Sequence, residues 1–358
     1  MYTRNKTKPI KVGSYQIGGN NEIVIQSMTT TKTHNVKETI KQINKLKKVG
    51  CQIVRVAVLG NDDADALKEI VLQSPLPIVA DIHFNYKFAL IAADAGVAKI
   101  RINPGNIGIK EHTIEVVKKC KEKKIPIRIG INSGSLPKKL VEKFGWTAKC
   151  MIESLAEHIQ ILEELNFKDI IYSLKATNPI MTIDAYKLAA ERWNYPAHIG
   201  ITEAGSLFSG AIKSSVGLGI LTYLGIGNTI RVSLSTNPIE EIKVAKKILN
   251  NLGLYNNIVE VIACPTCGRL EYNMLPIVSE IEKYTEKLNF PLKIAILGCV
   301  VNGLGEAGHA DIGIAGGHDG GIIFKDGKIL KSVKQENLVS ELKILIDEYY
   351  KKWKTRII

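Results

Sequence analysis

The sequence predicts a (β/α)8 barrel of the TIM type, followed by a small α+β domain. Between residues 20 and 260, short β-branched segments alternate eight times with amphipathic segments, and eight such repeats in about 240 residues is the count of this barrel. A polar, turn-rich segment at 250–257 ends the repeat. We therefore predict a barrel domain at 1–250 and a second domain at 258–358. A doubly wound open sheet is the alternative fold for the repeat.

Each predicted strand is a short run rich in β-branched residues, and each predicted helix carries apolar residues at helical spacing. The barrel strands are expected at Glu22–Gln26, Ile53–Val58, Ile78–Ile82, Lys99–Ile102, Ile127–Ile131, Asp169–Ser173, Ala197–Ile201 and Thr229–Ser233. The barrel helices are expected at Val36–Val49, Asp62–Leu72, Tyr86–Ala95, Ile109–Lys123, Thr147–Leu165, Ile183–Arg192, Ser209–Leu221 and Ile239–Leu249. The second domain is expected to contain strands Ile258–Ala263, Leu292–Leu297, Asp311–Ala315 and Gly321–Phe324, and helices from Met274 to Leu288 and from Asn337 to about Lys352.

Polar side chains stand where the predicted barrel strands end, which is where barrels of this class carry their chemistry. Five of them are cations, namely Arg55, Arg101, Arg128, Lys175 and Arg231. The others are Asp81, His83, Asn103, Asn132, Thr202, Glu203 and Ser233. Buried charges are costly unless they are paired, and only Asp81 and Glu203 are evident counterweights. Each arginine alone fits a structural ion pair, but together they predict a site for a polyanion, because arginine pairs with phosphate oxygens.

Three of the six cysteines lie close together in the second domain. Cys264 and Cys267 are separated by two residues, and Cys299 follows after 31 intervening residues, 268–298, at the end of a predicted strand. This spacing is compatible with an iron–sulfur cluster, a structural zinc ion or a redox pair. Glu306 is the nearest candidate for a fourth ligand, and a carboxylate is more easily displaced than a thiolate. The remaining cysteines are scattered and receive no predicted role.

Composition excludes several classes of protein. The chain has 358 residues and a formal net charge of +13, with lysines concentrated in the predicted helices. Aromatic residues are only 6% of the sequence, and no zinc-finger, KH or RRM signature is visible, so a nucleic-acid partner is not expected. No apolar segment reaches the roughly 18–20 residues of a membrane span, and no apolar leader follows Met1. We therefore expect a cytoplasmic protein without membrane association.

Two segments of the second domain resemble a known family. Ala263–Arg269 and Gly298–Glu306 resemble the cluster-binding segments of the 4-hydroxy-3-methylbut-2-enyl diphosphate synthase family, the iron–sulfur enzymes of the non-mevalonate isoprenoid pathway. The resemblance covers essentially the whole chain. The other segments that carry it are Gln26–Thr29, Ala80–Phe84, Arg101–Asn106 and Gly200–Gly205.

The resemblance implies a substrate, a cofactor and a set of site residues. The substrate would be 2-C-methyl-D-erythritol 2,4-cyclodiphosphate, and the reaction a two-electron reductive ring opening with loss of water, with electrons from flavodoxin or ferredoxin. A [4Fe–4S] cluster would be held by Cys264, Cys267, Cys299 and Glu306. The diphosphate would be held by Arg55, Arg101, Arg128, Asn132, Lys175, Arg231 and Ser233. Glu203 is the candidate for proton transfer to the leaving hydroxyl, or else an ion-pair partner of an arginine; Asp81, His83 and Thr202 are possible supporting residues.

The geometry of the predicted barrel also has a consequence for assembly. Barrel helices run opposite to the strands, so the eighth helix delivers the chain to the face away from the strand exits. With a short linker, a chain cannot easily place its own cluster over its own barrel mouth, whereas a second copy can. This argument and the resemblance both predict a homodimer in which each cluster domain caps the partner's barrel. Two alternatives are an iron–sulfur hydro-lyase acting on a phosphorylated substrate and a zinc-stabilised anion-binding barrel.

Overall fold

The computed structural model describes residues 4–103, 110–299, 308–317 and 320–357. The chain divides into two compact units, Met1–Leu254 and Tyr255–Ile358. Among the helices of these described ranges, none is both long enough and apolar enough to cross a membrane.

The first unit is a sheet of eight parallel strands with helices between them. Its strands are β3 (Val24–Met28), β4 (Ile53–Val58), β5 (Ile78–Ile82), β6 (Lys99–Ile102), β7 (Ile127–Asn132), β8 (Ile170–Lys175), β9 (His198–Ile199) and β10 (Thr229–Ile230). They lie in the order β8-β7-β6-β5-β4-β3-β10-β9. A parallel bridge between Tyr172 and Ala197 joins β8 to the segment that enters β9. The sheet therefore closes on itself almost completely, which confirms the barrel and excludes the open sheet.

Nine helices of the described first unit accompany these strands. They are α1 (Val36–Lys48), α2 (Asn61–Gln73), α3 (Tyr86–Asp94), α4 (Lys110–Lys123), α5 (Lys138–Phe144), α6 (Ala148–Glu164), α7 (Pro179–Arg192), α8 (Leu207–Tyr223) and α9 (Pro238–Asn250). Helix α7 begins four residues before the predicted start, because the Asn178 side chain accepts hydrogen bonds from the N–H groups of Ile180 and Met181 and proline suits the first helical position. The short α5 was not predicted.

An N-terminal hairpin closes the barrel at the amino ends of its strands. It consists of β1 (Ile10–Val12) and β2 (Tyr15–Ile17), which the sequence did not predict. Ile10, Val12 and Ile17 are buried in one cluster with residues from the starts of β3, β4, β5 and β8. The hairpin therefore fills the bottom of the barrel with apolar side chains, and the polar strand exits lie at the opposite end.

The second unit is a five-stranded sheet with helices packed against it. Its elements are β11 (Val259–Ala263), α10 (Met274–Thr285), β12 (Leu292–Leu297), β13 (Ile312–Gly317), β14 (Gly320–Lys325), β15 (Lys328–Lys334) and α11 (Leu338–Ile357). Strands β11, β12 and β13 are parallel neighbours, and β14 and β15 continue the sheet in antiparallel fashion. Ile277 and Ile281 of α10 and Leu342 and Ile346 of α11 share one buried core with the sheet. The carboxyl ends of β11 and β12 thus lie side by side.

Candidate active site

Five cations lie within the barrel strands or directly after them, and we call them the cationic mouth. They are Arg55 of β4, Arg101 of β6, Arg128 of β7, Lys175 at the end of β8 and Arg231 directly after β10. Arg101 and Arg128 are cross-strand partners, so their side chains leave adjacent strands at the same level. The structure therefore brings together all five cations that the sequence predicted for the diphosphate.

Asp81 holds two of these arginines in place. Its Oδ1 lies 3.0 Å from Arg101 Nη1 and its Oδ2 lies 3.6 Å from Arg55 Nε. His83 Nε2 is 3.4 Å from Asp81 Oδ2 and 3.0 Å from Arg101 Nη1. Burial alone would raise the pKa of Asp81, but the charge of Arg55, the hydrogen bond with His83 and the charge of Arg101 outweigh it and hold that pKa far below its ordinary range. Asp81 is thus ionised and holds both arginines in place through its two oxygens.

Arg128 stands out because it is buried and forms no ion pair with any carboxylate of the described residues. Its residue is only 1% exposed, and its Nε and Nη1 atoms have no hydrogen-bond partner within the described part of the chain. Burial, followed by the charges of Arg55 and Arg101, lowers its pKa, yet a guanidinium keeps its proton in proteins. A buried guanidinium with unpaired N–H groups destabilises a protein that has no ligand, and a bound anion would supply both the counter-charge and the hydrogen-bond acceptors.

Lys175 and Arg231 have partners that the sequence did not reveal. Lys175 Nζ lies 3.3 Å from His198 Nε2, and His198 Nδ1 lies 2.7 Å from Thr229 Oγ1. Arg231 Nε lies 3.7 Å from an oxygen of Glu241, which is buried in α9. The contact between Lys175 and His198 joins β8 to β9, which only barrel closure brings together. The contact between Arg231 and Glu241 joins the end of β10 to the helix that follows it.

Two glycines let cationic side chains cross neighbouring strands. A Cβ at Gly130 would collide with the Arg101 guanidinium, and a Cβ at Gly200 would collide with Lys175 Nζ and the Arg231 carbonyl. Arg101 Nη2 also donates to the Gly130 carbonyl at 3.2 Å. Glycine inside a buried strand is a known sign of close approach, and this signal could have identified both positions.

The remaining predicted barrel residues lie in or beside the loops after the strands. Glu203 is exposed and has a left-handed φ of 51°, and its carboxylate accepts a hydrogen bond from Thr177 Oγ1 at 3.2 Å. Thr202 is half-buried and donates its backbone N–H to the Ala176 carbonyl at 3.3 Å. Asn132 ends β7 and Ser233 follows β10, both half-buried. These positions suit contact with a guest held above the cations.

A cavity of about 640 Å³ lies at the other end of the barrel. Its walls include residues that precede β9 and β10, such as Ala197 and Asn228, together with Trp193 and Tyr195. None of the five cations of the mouth lines it, so we place the candidate site at the strand exits.

In the second unit, three free thiols lie at one edge of the sheet. Ala263 and Ile296 are partners in the parallel pair β11–β12, so Cys264 directly after β11 and Cys299 directly beyond β12 belong to the same edge. Cys267 follows in the turn after Cys264. Cys299 is buried, Cys264 is half-buried and Cys267 is exposed. The strand pairing thus places Cys264 and Cys299 at the same end of the sheet, and Cys267 follows Cys264 by three residues.

Gly298, directly after β12, forms hydrogen bonds with the loop that carries Cys264 and Cys267. Its N–H donates to Cys264 Sγ at 3.1 Å, and its carbonyl accepts from the Glu271 N–H at 3.0 Å. A Cβ at Gly298 would collide with Leu270. Tyr272 donates its hydroxyl to the Leu297 carbonyl at 3.1 Å. The loop that carries the first two thiols is therefore held against the end of β12.

The donor set fits an iron–sulfur cluster. Hydrogen bonds from backbone N–H groups to the ligand sulfurs are typical of cluster sites, and the Gly298 N–H makes one to Cys264 Sγ. The pKa of the Cys267 thiol is lowered, first by a hydrogen bond from the Arg269 backbone and then by the Arg269 side chain. No three His, Cys, Asp or Glu side chains in the described ranges are close enough to hold one metal ion; in a cluster each thiolate binds its own iron. Glu306 lies outside the described residues.

These features define the chain as a (β/α)8-barrel protein with a group of buried cations in its barrel and three free cysteines in its second unit. The chain belongs to the GcpE family. Residues 7–246 match the GcpE TIM-barrel domain and residues 260–348 match the GcpE protein C-terminal domain. The match confirms the resemblance and the fold that the sequence predicted.

Curated relatives match nearly the whole chain. A protein of Malacoplasma penetrans (strain HF-2) is 56% identical over 350 residues, covering 98% of this chain and 97% of the relative. One of Geobacillus thermodenitrificans (strain NG80-2) is 56% identical, with 99% and 96% covered. One of Bacillus subtilis (strain 168) is 53% identical, with 98% and 94% covered. All three are named 4-hydroxy-3-methylbut-2-en-1-yl diphosphate synthase (flavodoxin).

Proposed function

We propose that the chain is an oxidoreductase that opens and dehydrates 2-C-methyl-D-erythritol 2,4-cyclodiphosphate to 4-hydroxy-3-methylbut-2-enyl diphosphate, in the non-mevalonate route to isoprenoid precursors. This proposal depends on one observation: enzymes of that name are 53–56% identical to this chain over nearly its whole length, across both units. The cationic mouth supports it independently, because a cyclic diphosphate is the kind of dense anion that buried arginines require.

The barrel residues bind and orient the substrate. Arg55, Arg101, Arg128, Lys175 and Arg231 hold the two phosphoryl groups, and Asn132 and Ser233 hydrogen-bond the same guest from the loops. Asp81 and His83 keep Arg55 and Arg101 aimed at it, since their contacts already fix both guanidinium groups in the free protein. Prior fixation of these cations lowers the entropy cost of binding.

The second unit would hold a [4Fe–4S] cluster through Cys264, Cys267, Cys299 and Glu306. When bound, the cluster supplies electrons one at a time and an iron that attracts the departing oxygen. The protein's own contribution is the fixed thiol edge and the N–H group of Gly298 directed at Cys264. The word flavodoxin in the relatives' names supports flavodoxin as the electron donor, and ferredoxin is the alternative.

Glu203 transfers the proton to the leaving hydroxyl. Its carboxyl stands in the loop after β9, where Thr177 Oγ1 holds one of its oxygens. Thr202, the preceding residue, fixes this loop through its backbone hydrogen bond to Ala176. Glu203→Gln should lower turnover by roughly 10²- to 10⁴-fold while the affinity for the cyclic diphosphate stays the same. Unchanged turnover would reduce Glu203 to a structural residue.

The active enzyme is a homodimer in which each cluster unit caps the partner's barrel. Large exposed apolar side chains that follow the barrel strands support this proposal: Leu59 and Phe84 follow β4 and β5, Phe208 lies in the first turn of α8, and they are 62%, 75% and 77% exposed. Phe84 also has a left-handed φ of 62°, a costly conformation for an aromatic residue that points to a functional position.

Mixing two inactive variants tests this arrangement. Cys264→Ser removes the cluster unit's function and Glu203→Gln removes the barrel's function. If sites form between chains, half of the dimers are mixed and each has one intact site, so activity should recover to about a quarter of wild type. No recovery after subunit exchange would place each site within one chain.

Metal analysis tests the cofactor. Wild-type protein purified without oxygen should contain about four irons and four sulfides per chain and absorb visible light. Cys264→Ser should lose the cluster, whereas Cys51→Ala, at a buried thiol of the barrel, should keep it. Zinc alone, even after anaerobic reconstitution, would make the three thiols a structural clasp.

A further inference from the structure

The interior of the barrel mouth holds more positive than negative groups. Among the residues that the structure describes, six Lys and Arg side chains lie there, namely the five cations of the mouth and Lys99, which is fully buried in β6. Among the described residues that contact or act on them, the carboxylates are Asp81 and Glu241. Arginine keeps its charge in a protein, but lysine can lose its proton when buried among cations. A lysine is therefore the group that can relieve the excess.

Of the two lysines in this interior, Lys175 is the one more strongly favoured to lose its proton. It is 7% exposed, and the charges that act on it come from Arg128 of β7, Arg231 after β10, Arg55 of β4 and Arg101 of β6. All of these are positive. Its hydrogen-bond partner is His198 Nε2 at 3.3 Å, an imidazole nitrogen rather than a carboxylate.

His198 is itself enclosed by cations. It is fully buried in β9, and Arg128, Lys175, Lys99 and Arg55 all act on it. Its Nδ1 is 2.7 Å from Thr229 Oγ1. The pKa of Lys175 and the pKa of His198 are both lowered, first by burial and then by the charges of the cations around each residue. Two charged groups at 3.3 Å would repel, so the pair holds at most one proton.

We propose that Lys175 is an uncharged amine in the free barrel and takes one proton from solvent when a polyanion enters the cationic mouth, with His198 as the residue that positions its Nζ. The inference rests on the proposed function in naming the cyclic diphosphate as that polyanion. The step is a protonation of –NH2 to –NH3⁺ and involves no redox change. A nearby anion stabilises the charged amine and offsets the repulsion from the arginines.

Proton counting by calorimetry tests the proposal. The cyclic diphosphate is titrated into the full-length protein, without reductant, in buffers of different ionisation enthalpy at mildly alkaline pH. Both phosphoryl groups of this ligand are esterified and do not titrate near neutral pH, so any proton bound is bound by the protein. Sulfate serves as a second probe that does not depend on the proposed substrate. We expect uptake that approaches one proton per bound ligand.

Linkage gives a second readout that needs no variant. If binding takes up a proton, the affinity must fall as pH rises, by about tenfold per pH unit for one proton. Lys175→Arg, which is charged at every pH, should bind the ligand with no proton uptake and with a flat pH profile. Lys99→Met should keep the uptake, since Lys99 is bonded to Gln26 rather than to His198.

The outcomes separate the possible failures. No proton uptake by the wild-type protein, or uptake that persists in Lys175→Arg, overturns the proposal. Loss of uptake in Lys99→Met with its retention in Lys175→Arg assigns the proton to Lys99 and overturns it as well. Proton-coupled binding of sulfate without binding of the cyclic diphosphate supports the lysine proposal and contradicts the proposed function.

Discussion

Replacement of Arg128 by methionine should stabilise the free protein and weaken its anion site. The guanidinium is buried, and its Nε and Nη1 atoms have no partner in the part of the chain that the structure describes. Methionine has a similar length, is apolar and adapts its shape to irregular gaps. The substitution therefore removes unsatisfied donors and a repelled charge without leaving a large void.

The expected magnitude follows from these contacts. An unsatisfied buried donor costs about 1–3 kcal/mol, and exchange of a buried charge for an apolar group of similar volume is neutral or stabilising by up to about 4 kcal/mol. We expect a gain of about 2–4 kcal/mol, which corresponds to a rise in Tm of roughly 4–15 °C for a unit of this size. Loss of a buried charge pair with phosphate costs about 2–5 kcal/mol, or roughly 30- to 4,000-fold in affinity.

Thermal unfolding without ligand and calorimetry with the cyclic diphosphate measure the two effects. Arg101→Met is the matched control, because Arg101 is equally buried but is bonded to Asp81 at 3.0 Å. Its removal leaves that carboxylate short of a partner and should destabilise the protein by about 3 kcal/mol, while affinity again falls. A lower Tm for Arg128→Met, or an unchanged affinity for the cyclic diphosphate, would refute the reasoning that Arg128 is destabilising in the free protein and binds the anion.

Three further substitutions probe other parts of the account. Gly298→Ala should lower iron content after reconstitution because its Cβ would collide with the leucine of the thiol loop, whereas Gly268→Ala, with open space around it, should not; equal iron in both would contradict the close fit. Gly130→Ala should displace the guanidinium that crosses it and raise KM, while Gly134→Ala has room and should leave KM unchanged; an unaltered KM for Gly130→Ala would count against this contact. Burial lowers the pKa of His158 to about 4, so the unfolded chain binds more protons below its ordinary pKa and stability should fall by about 2 kcal/mol from pH 7.5 to 5; His158→Gln should remove that loss in denaturant titrations at the two pH values, and an identical loss in the variant would refute it.

The central strands of the barrel could be predicted from sequence because their burial leaves a plain signal. The predicted bounds of β4, β5, β6 and β12 coincide with the observed ones, since strands buried on both faces are continuous apolar runs ended by turn residues. The hairpin β1–β2 and helix α5 were missed because strands of three residues and a helix of seven are too short to show a period.

The candidate site was predictable where a charge interrupts an apolar strand, and not where a contact depends on how the helices and strands pack together. Arg101 and Arg128 are conspicuous for that reason. Glu241 lies beside another acidic residue at the start of α9 and resembles a solvated helix face in the sequence. Gly200 marks a close approach, but sequence spacing does not tell which residues approach it, and the same holds for the partner of His198.

Electron stoichiometry is the most direct test of the central claim. Protein purified without oxygen is given the cyclic diphosphate, with and without reduced flavodoxin, and product and oxidised carrier are counted. The account predicts no product without the carrier and two flavodoxin electrons consumed per 4-hydroxy-3-methylbut-2-enyl diphosphate formed. A dehydrated product at the oxidation level of the substrate, formed without reductant, would make the chain a hydro-lyase and contradict this function. A cluster-loaded protein that forms no product with reduced carrier would contradict it as well.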